Sequence, residues 1–204
     1  MLIGVDLDNT IVCYDELLRA VALEQGLIPQ SLPASKQAVR DWLRRVGQEE
    51  AWTELQGYTY GPRMQDAHPF PGVLEFFAYC RAMKVPVVII SHRTRYPYLG
   101  QKHDLHQAAR TWLAAHGFCD LDRTDLRPNR VYLELTKQDK IARIAETACS
   151  HFIDDLPEFL DDPAFPAGVQ KILFDPGEVY GDCSIALRAA SWAAIGRLLV
   201  SKET

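Results

Sequence analysis

The chain has no apolar run approaching the roughly 20 residues that a membrane-crossing helix needs, which argues against a membrane partner. It opens "MLIGVDLDNT", without a basic start and with aspartate at position 6, so no secretory signal peptide is expected. There is no excess of positive charge. The formal net charge is −5, which argues against a broad nucleic-acid surface. CxxC spacing is missing too. The five cysteines, Cys13, Cys80, Cys119, Cys149 and Cys183, are scattered and odd in number. They speak against a disulfide framework or a zinc site and imply reduced thiols in a cytoplasmic protein. His68, His103 and His106 show no metal-ligand spacing, and there is no internal repeat or low-complexity tract.

What is present is the profile of a globular chain: 204 residues, 48% hydrophobic and 24% charged. Short, continuously apolar runs recur: "LIGV" before Asp6, "VPVVII" before Ser91, "RVYLE" before Leu135, "HFI" before Asp154 and "QKILF" before Asp175. Runs without polar alternation suit a parallel sheet covered on both faces. Helical patterns separate them. "PGVLEFFAYCRAMK" opens on Pro71, and "DLHQAARTWLAAHGF" stops at Gly117. "TKQDKIARIAETA" starts with Thr136 as N-cap and Asp139 three residues on, and "SIALRAASWAAIGRLLV" is expected to be the last helix. The alternation predicts an α/β fold with a doubly wound, parallel, Rossmann-like sheet. Residues 14–68 break it with amphipathic helices in "YDELLRAVALEQG" and "SKQAVRDWLRRVG" and a shorter one around Trp52 and Leu55. The expected organisation is a core of residues 1–13 and 69–204 with a helical insertion, 14–68, after the first strand. The insertion's tryptophans are expected to form a core of its own.

In an open parallel sheet, ligands bind beyond the carboxyl ends of the strands. Here the first strand ends at Asp6-Leu7-Asp8, the second at Ser91-His92-Arg93-Thr94, and another at Asp154-Asp155, while Thr136-Lys137 follows the third. Carboxylates gathered at one edge repel one another unless a cation neutralises them, and an oxygen-rich set suits Mg²⁺. Asp6 and Asp8, two residues apart in a strand-like segment, can flank one substrate atom, one as nucleophile and the other as proton shuttle.

In this order, the segments "DLDNT", "VVIIS", "TKQDKIARIAE" and "HFIDDLPEFL" resemble the four motifs of the haloacid dehalogenase (HAD) superfamily, over roughly residues 1–12 and 70–180. The resemblance implies a Mg²⁺-dependent phosphatase acting through an aspartyl-phosphate. Asp6 would be nucleophile and metal ligand. Asp8 would be acid and base, its carbonyl a metal ligand, and Thr10 would support the loop beside the substrate. Ser91 would hydrogen-bond the phosphoryl oxygens, Asp154 and Asp155 would complete the metal site, and Arg93 would hold substrate. Asp155 aligns better with the direct ligand, and Glu158 takes the outer acidic role. Lys137, at the first helical position, is preferred over Lys140 as the site lysine. The insertion resembles a helical cap, which implies a small phosphorylated substrate. A phosphomutase or phosphotransferase, a nucleotidase, a nucleic-acid end phosphatase and a non-catalytic binding protein stay open as alternatives, as does the oligomeric state.

Overall fold

The computed structural model describes residues 1–181, 185 and 187–200. The apolar run after Met1 forms strand β1 (Ile3–Val5), buried at every position. It lies at the centre of a six-stranded sheet between β4 (Val87–His92) and β6 (His151–Asp154), and pairs in parallel with both. Outside β4 lies β5 (Val131–Glu134); beyond β6 lie β7 (Gln170–Phe174) and β8 (Arg188–Ala189), and every pairing is parallel. The carboxyl ends of these strands therefore share one edge, with β1 at the centre.

The connections are helices: α4 (Val73–Ala82), α5 (Leu105–Ala115), α6 (Lys137–Glu146), the short α7 (Pro157–Leu160) and α8 (Trp192–Val200). Thr136 caps α6 as its sequence predicts, its side chain accepting from the Asp139 amide at 3.0 Å. The end of the chain differs from expectation. Leu187 and Ala189 carbonyls accept from Leu173 and Asp175, which makes a parallel strand of Arg188–Ala189. The helix begins only after Ser191, whose hydroxyl accepts from the Ala194 amide at 3.2 Å. An alanine-rich run is ambiguous by period, and the sheet edge claimed Arg188–Ala189. Residues 182–184 and 186 of the expected helix and its surroundings, with Cys183 among them, lie outside the described residues. Cys13, Cys80, Cys119 and Cys149 are free thiols. No helix among the described residues is long and apolar enough to cross a membrane.

Three helices, α1 (Asp15–Glu24), α2 (Lys36–Arg45) and α3 (Glu49–Tyr60), lie outside the strand order. Chain entry and exit are tied by a small antiparallel ribbon, β2 (Val12–Cys13) with β3 (His68–Pro69), in the register Val12 to Pro69 and Cys13 to His68. The helices do not form a core of their own. Leu18, Val21, Val39, Leu43, Trp52 and Leu55 belong to the same apolar cluster as Ile3, Val5, Ile11 and Tyr14. Tyr14 and Ile11, both fully buried, connect the two parts.

The centre of the sheet leaves little room. Gly4 faces Phe152 on β6, and a Cβ there would lie 2.5 Å from the Phe152 ring and 2.9 Å from the Cys149 sulfur. Gly4→Ala should therefore destabilise the protein by about 1–3 kcal/mol through overpacking. A fall in the denaturation midpoint at unchanged slope would show it.

Candidate active site

Four side chains meet where β1 and β6 end. Asp6, next after β1, is held in line by its amide donating to the Ile153 carbonyl at 2.9 Å. Asp154 ends β6, and its Oδ1 accepts from the Leu156 amide at 3.0 Å. Asp155 follows, and its Oδ1 accepts from the Thr10 hydroxyl at 3.3 Å. Between the first two lies Lys140, whose Nζ donates to Asp6 Oδ1 and to Asp154 Oδ2 at 2.6 Å each. All three of these groups are buried. The lysine stem runs beneath aromatic rings, with Nζ 4.0 Å from the Phe159 centroid and 5.5 Å from that of Phe152.

Lys137 is not the lysine that reaches the carboxylates, and this corrects the sequence expectation. Its Nζ pairs with Asp162 at 2.7 Å and donates to the Glu158 carbonyl at 3.4 Å, at the rim of the site. The reason lies in helix geometry. Side chains on a helix lean toward its N-terminus and cover the turn preceding their own Cα. Lys140, on the buried face with Ile141 and Ile144, extends its four-carbon stem back toward the sheet edge, whereas Lys137 lines the cavity from its rim and turns to Asp162.

Four further expectations can be compared with the geometry. Ser91, buried near the end of β4, lines a cavity of about 320 Å³ with Asp6, Asp8, His92, Lys140 and Asp155. Thr10 is fully buried; its hydroxyl supports Asp155 and its carbonyl accepts from the Trp192 indole at 3.1 Å, so it braces the loop without facing substrate. Arg93 is also buried, and its guanidinium is taken up by protein partners, among them Asp8 Oδ1 at 2.5 Å. It is therefore not placed to hold substrate. Glu158 is exposed and lines the same cavity.

Asp8 lies at the start of a tight turn. Leu7 O accepts from both Ile11 and Val12 amides, and Asn9 adopts φ 59°, a left-handed conformation that asparagine tolerates better than most residues. The turn brings Asp8 into the cavity alongside Asp6. It also leaves the Asn9 side-chain nitrogen buried without a partner among the described residues, at the boundary with a second cavity of about 340 Å³.

Lys36, which no motif pointed to, lines both cavities from the first turn of α2. Burial disfavours its ammonium, but Tyr60, Asp155 and Asp8 outweigh that effect and raise its pKa above the ordinary lysine value. Nothing in local sequence marks Lys36, because its relation to Asp155 spans more than half of the chain. For Lys140 the lean of helical side chains toward the N-terminus is a partial signal, but the placement of α6 against the sheet settles the choice.

The carboxylates carry more charge than the lysines balance. Burial pushes the Asp6 carboxyl up from 3.8 to about 7, with Asp154 and Asp8 adding to the rise and Lys140 opposing it. Burial and Asp154 likewise raise Asp155 well above the usual carboxylate range. Oxygens of Asp6, Asp154 and Asp155 all lie within 4.8 Å of one another, and an all-carboxylate set with excess negative charge fits a hard divalent cation such as Mg²⁺. Asp155 faces the cavity, while Asp154 turns toward Lys140.

These charges make stability depend on pH. Because Asp6 binds its proton more tightly folded than unfolded, its contribution is complete below about 4 and lost as pH rises through about 7. With chelator present, the unfolding free energy should therefore fall over this window, and millimolar Mg²⁺ should restore it at pH 8. Lys140→Met should cost about 3–5 kcal/mol, since two buried carboxylates lose their cation. Lys137→Ala breaks a partly exposed pair and should cost no more than about 1 kcal/mol. Denaturant titrations of the variants, with and without Mg²⁺, measure all of these.

No family model matches the chain, and no curated protein does. Solved structures do. A HAD family hydrolase from Deinococcus radiodurans, described with bound phosphate and sodium, aligns with TM-score 0.62 at 16% identity, over 98% of this chain and 95% of that one. Protein Tyrosine Kinase A of Mycobacterium tuberculosis aligns with TM-score 0.65 at 16% identity, over 97% of each chain. A predicted phosphoglycolate phosphatase from Haemophilus somnus aligns with TM-score 0.57 at 15% identity, again over 97% of each. With a parallel sheet in the order β5-β4-β1-β6-β7-β8 and a helical insertion following its central strand, this chain has the fold of the haloacid dehalogenase superfamily hydrolases.

Proposed function

We propose that the chain is a Mg²⁺-dependent phosphomonoester hydrolase that acts on a small phosphorylated metabolite through an aspartyl-phosphate on Asp6. The observation that carries this reading is the single cavity of about 320 Å³ lined by Asp6, Asp8, Ser91, Lys140 and Asp155. It combines a nucleophile, a second carboxylate, a hydroxyl donor, a buried cation and a metal-binding set at the end of the central strand.

An oxygen of Asp6 attacks phosphorus while the bond to the leaving oxygen breaks, and Asp8 gives that oxygen its proton. Asp8, now a carboxylate, takes a proton from water as the water oxygen attacks phosphorus and the bond to Asp6 breaks. Ser91 and Lys140 hold the phosphoryl oxygens and offset their charge, which is most of what phosphoryl transfer asks of a protein. Mg²⁺, held by Asp6, Asp155 and, directly or through water, Asp154, would supply further neutralisation of the phosphoryl group.

In this reading α1–α3 act as a cap. The second cavity, about 340 Å³ and bounded by Lys36 and Arg40 of α2 and by Phe174 and Tyr180 of the sheet side, takes the part of the substrate that does not react. A closed site of this size suits a small substrate and excludes a polymer. The kinase name of one structural neighbour keeps phosphotransfer to an acceptor other than water as the second reading.

Phosphate release from p-nitrophenyl phosphate should require Mg²⁺ and cease with EDTA. Asp6→Asn should abolish it with the fold intact, and Lys140→Ala should lower turnover about a hundredfold or more. Lys137→Ala should stay near wild type. Full turnover in EDTA, or more than about a tenth of it in Asp6→Asn, would overturn the assignment. A panel of sugar phosphates, nucleotides and phospho-acids, with and without alcohol acceptors, identifies the substrate and separates hydrolysis from transfer.

A further inference from the structure

Arg93 is only 3% exposed, and its donors reach three separate stretches of the chain. Nε donates to the Leu105 carbonyl, in the first turn of α5, at 3.1 Å. One terminal nitrogen donates to Asp8 Oδ1 at 2.5 Å and lies 3.4 Å from the Tyr14 hydroxyl. The other donates to the Tyr60 carbonyl at 2.7 Å and lies 3.2 Å from the Met64 sulfur. Tyr14 also donates to Asp8 Oδ1, at 2.9 Å, and its ring packs on that of Tyr60 at 4.4 Å.

Tyr60 is the last residue of α3, so its carbonyl is one of the four that a helix leaves without an internal partner. Arg93 satisfies it and sets a positive charge at the negative end of the helix. The same planar group holds Asp8. Lifting α3 would strip the guanidinium of two partners in a buried place. Turning Asp8 away would leave a buried cation without its charge. Neither move is independent of the other, because the fork geometry fixes one set of bonds relative to the other.

We propose that Arg93 is a positioning residue that couples the seat of the helical cap to the orientation of Asp8, so that Asp8 is aligned for proton transfer only while the end of α3 is docked on Arg93. This rests on the reading of Asp8 as acid and base. Both Arg93 and Tyr14 address Oδ1, which leaves Oδ2 for the reacting oxygens. Substrate entry, which needs the cap to part, would then disarm Asp8, and cap closure would rearm it. By linkage, a change at Asp8 must be felt at the end of α3 as strongly as the reverse.

The test uses Arg93→Lys, Asp8→Asn and the double variant in the full chain. Lysine keeps the buried charge but cannot hold both partners in a fixed plane. Arg93→Lys should lower kcat on an alkyl phosphate by about tenfold or more, with KM changed far less, and should cost nothing further in the Asp8→Asn background. Without substrate, Asp8→Asn should speed amide hydrogen exchange around residues 60–67 by about threefold or more, while exchange in β6 and β7 stays as in wild type. An undiminished kcat in Arg93→Lys, additive losses in the double variant, or unchanged exchange at the end of α3 would each overturn the coupling. A wild-type chain that releases no phosphate would defeat the phosphatase reading instead, and the exchange measurement would still decide whether Asp8 and the cap are linked.

Discussion

One ammonium group between two buried carboxylates sets the terms for the rest of the site. Parallel pairing of β1 with β6 places Asp6 and Asp154 side by side at the centre of the sheet, where water cannot screen them. Two such charges together cost several kcal/mol each to desolvate, so a cation in contact with both is a condition for the strand ends to exist as they do. Lys140 meets that condition at 2.6 Å to each. Its position in turn requires α6 to run with its buried face over the end of β4 and β5, started by Thr136, and requires Phe152 and Phe159 to enclose the stem. Asp155 exceeds what this lysine balances, and the excess suits the group to a divalent cation.

The helical segment is bound to this arrangement by more than its two chain connections. Its apolar residues continue the core beneath the sheet, Lys36 brings a positive charge over Asp155, and Arg93 ties the end of α3 to Asp8. The cavity lined by Asp6 and Asp8 meets the second cavity at Asn9, Lys36 and Asp155, so on the proposed reading the reacting and unreactive parts of a substrate would lie side by side. On the same reading, packing and a buried guanidinium give these helices a defined seat beside the site, which is what alignment of two carboxylates on one phosphorus atom would demand.

The sheet, its parallel sense and the edge at which the polar residues gather were legible in the sequence. Each rests on local pattern: continuous apolar runs, all but "RVYLE" followed at once by Asp or Ser, and helices with their own caps. Legibility ended where two signals of equal local quality competed. The alanine-rich segment before Ser191 fits a helix by period, yet Arg188–Ala189 became a strand because β7 offered an unpaired edge. Thr10 and Arg93 sit in motif positions that suggest contact with substrate, but both are turned inward, one to Asp155 and one to Asp8.

Taken alone, the sequence determined which residue types stand at the strand ends and in what order, since apolar period and caps act within a few residues of one another. Only the tertiary structure decided which of two lysines three positions apart reaches the carboxylates, which arginine serves as a brace, and that a lysine from the first turn of α2 stands over Asp155. Those outcomes depend on where a long side chain ends after its helix has been set against the sheet. Lys140 and Asp6 are 134 residues apart in the chain, and their bond is fixed by packing and charge across that distance rather than by any local pattern.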